Sequence, residues 1–246
     1  DIDISGALAF LSGDTFQIVD ISAPCSPTLV YSGDVHPWKV AVSGTRVYVG
    51  TAYDGISILD VSDPAHPVLL GSYIPPIPPG SFLRLESLAV VGTRMYMGTG
   101  DSSLLIVDVS NPAAPTLLGR YHARNAVMSV RVVGSRAYVG AGDLDIVDVG
   151  NASAPVLLGR YSSLIEIDDL RVVGSLAYLA ASWADLQIVD VSQPTAPKLS
   201  GAFTTLKRAN NIQIQGSLAY IGSNRFDIVD ISSPNNPKIV SSYWPS

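Results

Sequence analysis

The stretch that decides the fold is Leu105-Ile106-Val107-Asp108-Val109-Ser110-Asn111-Pro112-Ala113-Ala114-Pro115. The same phrase opens five more times along the chain, at Ile18-Val19-Asp20, Ile58-Leu59-Asp60, Ile146-Val147-Asp148, Ile188-Val189-Asp190 and Ile228-Val229-Asp230. The aspartates of the six copies lie 40, 48, 40, 42 and 40 residues apart. A repeat of about 40 residues that is rich in short apolar runs and turn residues is typical of a β-propeller blade.

Each repeat also contains a glycine between two short apolar segments, as at Gly134, and the six are Gly6, Gly44, Gly92, Gly134, Gly174 and Gly216. A glycine followed by Ser, Thr or Ala between two such segments predicts a hairpin with a type II′ turn and a positive φ at the glycine. The aspartate phrase forms a third strand, and its two prolines predict a turn because proline cannot donate to a sheet ladder. A fourth strand follows, as at 156–161. We therefore predict an all-β, six-bladed β-propeller with four antiparallel strands per blade.

The repeats follow one another without a linker, which favours one domain over two for 246 residues. We predict a single propeller over residues 1–246. Its blades are expected at about 1–31, 32–73, 74–121, 122–161, 162–203 and 204–246.

The repeat resembles the LVIVD repeat family of bacterial and archaeal secreted or cell-surface proteins. The resemblance rests on the Leu-x-Ile-Val-Asp-Val-Ser core with its two prolines, and it covers residues 1–246. Repeat four departs from this pattern, with Gly150 in place of the serine and Ala152 in place of the first proline. The resemblance implies a β-propeller and a secreted or cell-surface location, but no single activity, because a fold does not fix a function.

The composition excludes several classes of function. A net charge of −6 and a pI near 4.9 argue against a nucleic-acid surface, which needs a basic stripe. No apolar run approaches the roughly 20 residues of a membrane-spanning helix. Cys25 is the only cysteine, so an intrachain disulfide is excluded.

Positions that are the same in every repeat serve the blade, whereas positions that differ are free to form a site. We expect the six repeated aspartates to accept backbone N–H groups in the proline turn rather than to bind calcium, since each lies on a separate blade. Both repeated turns are predicted on one face of the propeller, so the irregular loops share the opposite, variable face. There Trp38, Tyr53 and Trp183 are candidate aromatic anchors for a ligand or partner.

Alignment on the repeated glycine indicates a polar ring at the mouth of the axial channel. The residues five positions before the glycine are all polar: Asp1, Lys39, Ser87, Ser129, Asp169 and Asn211. Arg131 and Arg171 lie three positions before their glycines, and we expect them to form an ion-paired cluster with Asp169. Such a cluster fits an anionic ligand; the alternative is that these side chains only solvate a water-filled channel.

The first hypothesis for function is a non-catalytic module that binds a small anionic ligand or another protein on the variable face, without a cofactor. It is motivated by the lack of a hydrolase triad, a metalloprotease motif or a phosphate-binding loop in the sequence. The candidate binding residues are Trp38, Lys39, Tyr53, Glu86, Arg131, Asp169, Arg171, Trp183, Asn211 and Arg225.

The alternative hypothesis is an enzyme at the channel mouth. By analogy of position with six-bladed, metal-dependent lactonase-like hydrolases, Glu86, Asp169 (or Asp168) and Asn211 (or Asn210) would hold a calcium-like ion that polarises a carbonyl oxygen. The neighbouring arginines count against this, because they would repel a cation. A metal-free acid–base enzyme acting on an anionic substrate would use His36 or His122, with Asp168 or Asp169 as further candidates.

Overall fold

The computed structural model describes residues 1–51, 54–76, 84–163, 166–181, 185–204, 209–222 and 225–244. Within these ranges the backbone forms 24 β-strands in six antiparallel sheets of four strands each, and no helix. Accordingly, the described residues include no helix long and apolar enough to span a membrane. The fold is an all-β, six-bladed β-propeller, which confirms the prediction from the repeats.

Residues Asp1–Arg120 form one compact unit, the N-terminal unit. Its sheets, blades 1 to 3, have the strand orders β1-β2-β3-β4, β5-β6-β7-β8 and β12-β11-β10-β9. The strands are β1 Ile2–Ser5, β2 Leu8–Leu11, β3 Phe16–Asp20, β4 Thr28–Gly33, β5 Lys39–Ser43, β6 Arg46–Gly50, β7 Ile56–Asp60, β8 Val68–Tyr73, β9 Leu85–Val91, β10 Arg94–Thr99, β11 Ser103–Asp108 and β12 Thr116–His122, of which the last two residues belong to the second unit.

Residues Tyr121–Ser246 form the second compact unit, the C-terminal unit. Its sheets, blades 4 to 6, have the orders β13-β14-β15-β16, β17-β18-β19-β20 and β21-β22-β23-β24. The strands are β13 Ser129–Val133, β14 Arg136–Ala141, β15 Asp143–Asp148, β16 Val156–Tyr161, β17 Ile167–Val173, β18 Leu176–Ala181, β19 Asp185–Asp190, β20 Lys198–Phe203, β21 Asn211–Gln215, β22 Leu218–Gly222, β23 Phe226–Asp230 and β24 Lys238–Tyr243.

The first hairpin of each blade closes at the repeated glycine. In blade 4, Val133 pairs with Arg136, which leaves Gly134 and Ser135 as a two-residue loop. Gly134 has a φ of 60°, and Ser102 is the only described non-glycine residue with a positive φ. A positive φ at the first loop residue alone is the φ pattern of a type II′ turn, as predicted. The other five repeated glycines have φ values of 58° to 62°.

The repeated aspartates have a structural role, as the sequence predicts. Each side chain accepts a hydrogen bond through Oδ1 from the backbone N–H two residues later, at 2.8 or 2.9 Å. The pairs are Asp20 with Ser22, Asp60 with Ser62, Asp108 with Ser110, Asp148 with Gly150, Asp190 with Ser192 and Asp230 with Ser232. Gly150 preserves this bond in repeat four because the donor is a backbone group.

These turns make the stability of the protein sensitive to acid. The hydrogen bond from the Ser110 N–H lowers the pKa of Asp108, so the folded chain binds a proton less readily than the unfolded chain. The turn therefore stabilises the fold at pH values above the ordinary aspartate pKa of about 4, and this contribution is lost as the pH falls through the lowered folded-state pKa.

We expect the Asp108→Asn variant to be less stable than the parent protein at pH 7, with a difference that shrinks as the pH falls below about 4. Urea denaturation of both proteins at a series of pH values measures this difference. A difference that grows towards acidic pH would contradict the role of the carboxylate.

In blades 2, 4 and 5, a glycine of the fourth strand contacts the proline turn of the following blade. In blade 4, Gly159 pairs with Ile146 at a β-bulge, and a Cβ at this position would overlap the carbonyl oxygen of Pro194 in blade 5. Gly71 makes the same contact with Pro112, and Gly201 makes it with Pro234. These three glycines are thus required by a close approach of two backbones.

The first strand of each blade lies next to the first strand of the following blade within each unit: β1, β5 and β9 in one, and β13, β17 and β21 in the other. Carboxylates bridge these strands. Asp3 Oδ2 accepts the N–H of Val42 at 2.8 Å, and Asp1 Oδ2 accepts that of Val40 at 3.3 Å. In the C-terminal unit, Asp169 Oδ2 accepts the N–H of Ile212 at 3.2 Å. These first strands position the candidate site.

Candidate functional site

Asp169 is the centre of a hydrogen-bond network that joins three blades of the C-terminal unit. Its strand β17 bulges at Asp168, since Ile167 pairs with Ala181 while Asp169 pairs with the adjacent Ala180. The Asp169 side chain is 10% exposed. It accepts hydrogen bonds from the Ser129 hydroxyl of blade 4 at 3.2 Å, from the Leu170 N–H at 2.8 Å, and from the Ile212 N–H of blade 6.

Two arginines share this carboxylate. Arg131 Nη2 donates to Asp169 Oδ1 at 3.1 Å, and Arg171 Nη1 donates to Oδ1 at 2.7 Å and to Oδ2 at 3.0 Å. Each arginine also donates from Nη1 to the carbonyl oxygen of the residue before it, in both cases at 2.8 Å. The structure therefore contains the ion-paired cluster that the sequence predicts, which we call the Asp169 cluster: Ser129, Arg131, Asp169, Arg171 and Gln213.

Gln213 of strand β21 completes the cluster. Its Oε1 accepts a hydrogen bond from Arg171 Nε at 2.8 Å, and its side chain is exposed. Arg171 is thereby held on two sides, by Asp169 at Nη1 and by Gln213 at Nε. Side chains fixed in this way lose little further conformational entropy when a ligand binds.

The electrostatic character of the Asp169 cluster is positive. Two guanidinium groups oppose one carboxylate, so the three charged side chains carry a net charge of +1. The arginine side chains are 31% and 27% exposed, so they reach solvent while their contacts with Asp169 are largely buried. Charged groups interact more strongly in such a partly buried setting than in bulk water. The arrangement can bind an anion and repels a cation.

Two predicted ligand residues of the N-terminal unit lie at the start of blade 2. Trp38 is 47% exposed, and its backbone N–H donates to the carbonyl oxygen of Gly50 at 2.7 Å. Lys39 follows it as the first residue of β5 and is half-buried. Trp38 thus presents an aromatic surface to solvent, as an anchor requires. Tyr53 and Trp183, the other two predicted anchors, lie outside the described residues.

Arg225, another predicted ligand residue, has an extensive set of contacts in blade 6. It donates to Asp227 Oδ2 from Nη2 at 2.7 Å and from Nε at 2.8 Å. Its guanidinium carbon lies 5.2 Å from the ring centre of Trp244, which is a cation–π distance. Asp227 also accepts the hydroxyl of Ser242 at 2.6 Å. These contacts give Arg225 a structural role at the end of the sheet.

The three predicted metal ligands occupy different settings. Glu86 is 5% exposed and forms an ion pair with Arg84 Nε at 2.9 Å, while Asp169 is surrounded by the donors described above. Asn211 begins β21 and is exposed. Across the described ranges, no group of three or more histidine, cysteine, aspartate or glutamate side chains is arranged to hold a metal ion.

The predicted acid–base residues are His36, His122 and Asp168, together with Asp169. Both histidines are exposed, His36 in the loop before β5 and His122 at the end of β12. Asp168 is the half-buried bulge residue of β17. Both oxygens of Asp169 already accept hydrogen bonds, from the two arginines and from Ser129, Leu170 and Ile212.

Sequence reasoning did not identify a second buried network in the C-terminal unit. Asp145 of β15 is 1% exposed, and it accepts the hydroxyl of Tyr121 at 2.7 Å and Arg160 Nη2 at 2.8 Å. Arg160 Nε also donates to Asp145. Burial and the bond to Asp145 raise the pKa of Tyr121, while the bond to Asp145 raises the pKa of Arg160. The sequence did contain one signal for this network: Asp145 places a charged residue at the third-strand position that Leu105 occupies in repeat three.

Comparisons with known proteins identify the repeat but not an activity. A model of the LVIVD repeat matches residues 1–35, 36–74, 85–123, 125–163, 166–205 and 207–244. A comparison with functionally curated proteins gives no match.

Two solved structures share the fold at 12% sequence identity. The crystal structure of the computationally designed Ika8 protein matches with a TM-score of 0.74 over 98% of this chain and 73% of that chain. A functionally unknown protein from Desulfotomaculum acetoxidans DSM 771 matches with a TM-score of 0.78 over 99% and 84%. Since the repeat model matches almost the whole sequence, the chain belongs to the LVIVD repeat family.

Proposed function

We propose that the protein is a non-catalytic binding module that takes a small anion at the Asp169 cluster. The observation that carries this proposal is the sharing of one carboxylate by Arg131 and Arg171. The surplus positive charge is fixed in place before any ligand arrives, and both guanidinium groups reach solvent. Preorganised charge of this kind favours anion binding because little reorganisation is needed.

Binding explains the cluster better than catalysis does. A general base needs an oxygen that is accessible to the proton it removes, but Asp169 accepts hydrogen bonds from five different residues. A calcium-dependent hydrolase at Asp169 would have to place a cation beside two arginines. The hydrolase alternative therefore has no supporting contact among the described residues.

The test is isothermal titration calorimetry with sulfate, phosphate and acetate at constant ionic strength, and with calcium chloride as a separate arm. We expect at least one anion to bind. We expect Arg171→Gln to weaken its affinity by about 10- to 100-fold, since a hydrogen bond to a charged group contributes about 1.5–3 kcal/mol.

The matched control is Arg136→Gln, which removes an exposed arginine of blade 4 outside the cluster. Circular dichroism establishes that each variant is folded. If no anion binds, or if Arg171→Gln binds as tightly as the parent protein, the proposal is wrong. Calcium binding that is lost in Asp169→Asn would instead support the hydrolase.

We also propose, from the family resemblance, that the protein works in a secreted or cell-surface setting. In that setting, the anion is either a free small molecule or an acidic side chain of another protein. Exposed Trp38 supports a protein-facing surface in the N-terminal unit.

A further inference from the structure

The charges and unused donors of the Asp169 cluster indicate which class of anion it takes. We infer that the ligand group is a singly charged carboxylate, held by Arg171 Nη2 and the side-chain amide of Gln213. This inference rests on the proposed function, because it concerns the same site, and it adds the chemical class of the ligand and a specificity residue.

The hydrogen bonds of Arg171 leave one of its nitrogens available. Nε donates to Gln213, and Nη1 donates to Asp169 and to the Leu170 carbonyl oxygen. Nη2 donates to no residue that the structure describes. Arg131 differs, because each of its Nη atoms donates one of its two N–H groups, to Val130 and to Asp169. Arg171 Nη2, with two N–H groups, is therefore the contact group that we assign, and Arg131 contributes charge.

Gln213 supplies the second donor. Its Oε1 accepts a hydrogen bond from Arg171 Nε. Because the amide nitrogen Nε2 is bonded to the same carbon as Oε1, it also lies close to the Arg171 guanidinium group. Nε2 has no hydrogen-bond acceptor in the described part of the chain, and the side chain is exposed. Two donors linked by one hydrogen bond match the two oxygens of a carboxylate, which accepts through both.

The charge of the cluster favours one negative charge over two. A single carboxylate neutralises the net +1 of the two arginines and Asp169. A dianion would leave an excess negative charge close to Asp169, whose carboxylate lies 2.7 Å from Arg171 Nη1. The repulsion between that excess charge and Asp169 would weaken binding in a partly buried site.

Calorimetry of acetate and sulfate at pH 7 and constant ionic strength tests the inference. We expect acetate to bind at least tenfold more tightly than sulfate. We expect Gln213→Ala to weaken acetate binding about tenfold, since one hydrogen bond to a charged group is lost. The matched control is Gln215→Ala on the same strand, which removes an exposed glutamine outside the cluster and should leave binding unchanged.

The outcomes separate this inference from the proposed function. If sulfate binds as tightly as acetate or more tightly, the carboxylate assignment is overturned while anion binding by the cluster stands. If Gln213→Ala binds acetate like the parent protein, the role of Gln213 is overturned. If neither anion binds, both proposals are wrong.

Discussion

Replacing Asp145 with asparagine is expected to lower the free energy of unfolding by about 3–5 kcal/mol, which is the usual cost of removing one partner from a buried ion pair. The substitution preserves the size of the side chain but removes the carboxylate that bonds directly to Arg160, whose side chain is only 17% exposed, and leaves Asp143 Oδ2 at 3.7 Å as its remaining charged neighbour. It also weakens the acceptor for the Tyr121 hydroxyl. Urea denaturation followed by circular dichroism measures the change.

The chain offers a matched control for this experiment in repeat five. There Gln187 and Ala202 occupy the paired positions that Asp145 and Arg160 occupy in repeat four. The double variant Asp145→Gln, Arg160→Ala removes both charges and should recover most of the lost stability. If the double variant is as unstable as Asp145→Asn, the loss does not come from an unpaired buried charge.

Gly159→Ala is expected to destabilise the protein by about 1–3 kcal/mol, the typical cost of forcing extra volume into a packed contact. The added methyl group would overlap the Pro194 carbonyl oxygen and lie 3.0 Å from the Cα of Thr195. Both neighbours are backbone atoms of a turn, so they cannot move aside as a flexible side chain would. A shift in the urea midpoint at unchanged slope measures the effect.

Repeat six provides the control, because Ser241 already stands at the position of Gly159. Ser241→Ala should change the free energy of unfolding by less than about 0.5 kcal/mol, as exposed substitutions usually do. If Gly159→Ala is equally mild, the contact between the strand and the proline turn is looser than the structure indicates.

The fold could be predicted from the sequence because the motif that specifies the strands and turns of a blade occurs six times. The spacing of Asp108 and its counterparts gave the blade number, and the glycine and proline positions gave the turns. The role of the repeated aspartates was also predictable, since the Asp-x-Ser turn is local and needs no knowledge of distant residues. Local patterns, once repeated, are sufficient to predict the strands and turns of a blade.

The Asp169 cluster was partly predictable for a related reason. Equivalent positions of neighbouring blades lie side by side, so an alignment of repeats places Arg131, Asp169 and Arg171 together. The alignment does not give side-chain direction, and the pairing of Gln213 with Arg171 was therefore missed as part of the site.

Side-chain contacts between non-equivalent strands, such as the third and fourth strands of one blade, were not predictable from the repeat. Asp145 meets Arg160 across a strand pair with a β-bulge, which shifts the register by one residue. Its third partner, Tyr121, lies 24 residues earlier in the chain. A repeat alignment shows that these residues vary but not that they touch. The need for a glycine at position 159 was not predictable either, because it arises from contact with the backbone of blade 5.

The carboxylates on the first strands also bear on how the protein avoids aggregation. A strand at the edge of a sheet presents unpaired N–H groups that can recruit a strand from another molecule. Asp3 and Asp169 occupy two such groups, those of Val42 and Ile212, with charged oxygens from within the same chain. An incoming strand would have to displace a charge-assisted bond and bring its own carbonyl oxygen close to a carboxylate. The occupied N–H groups of Val42 and Ile212 therefore disfavour the addition of a foreign strand to β5 and β21.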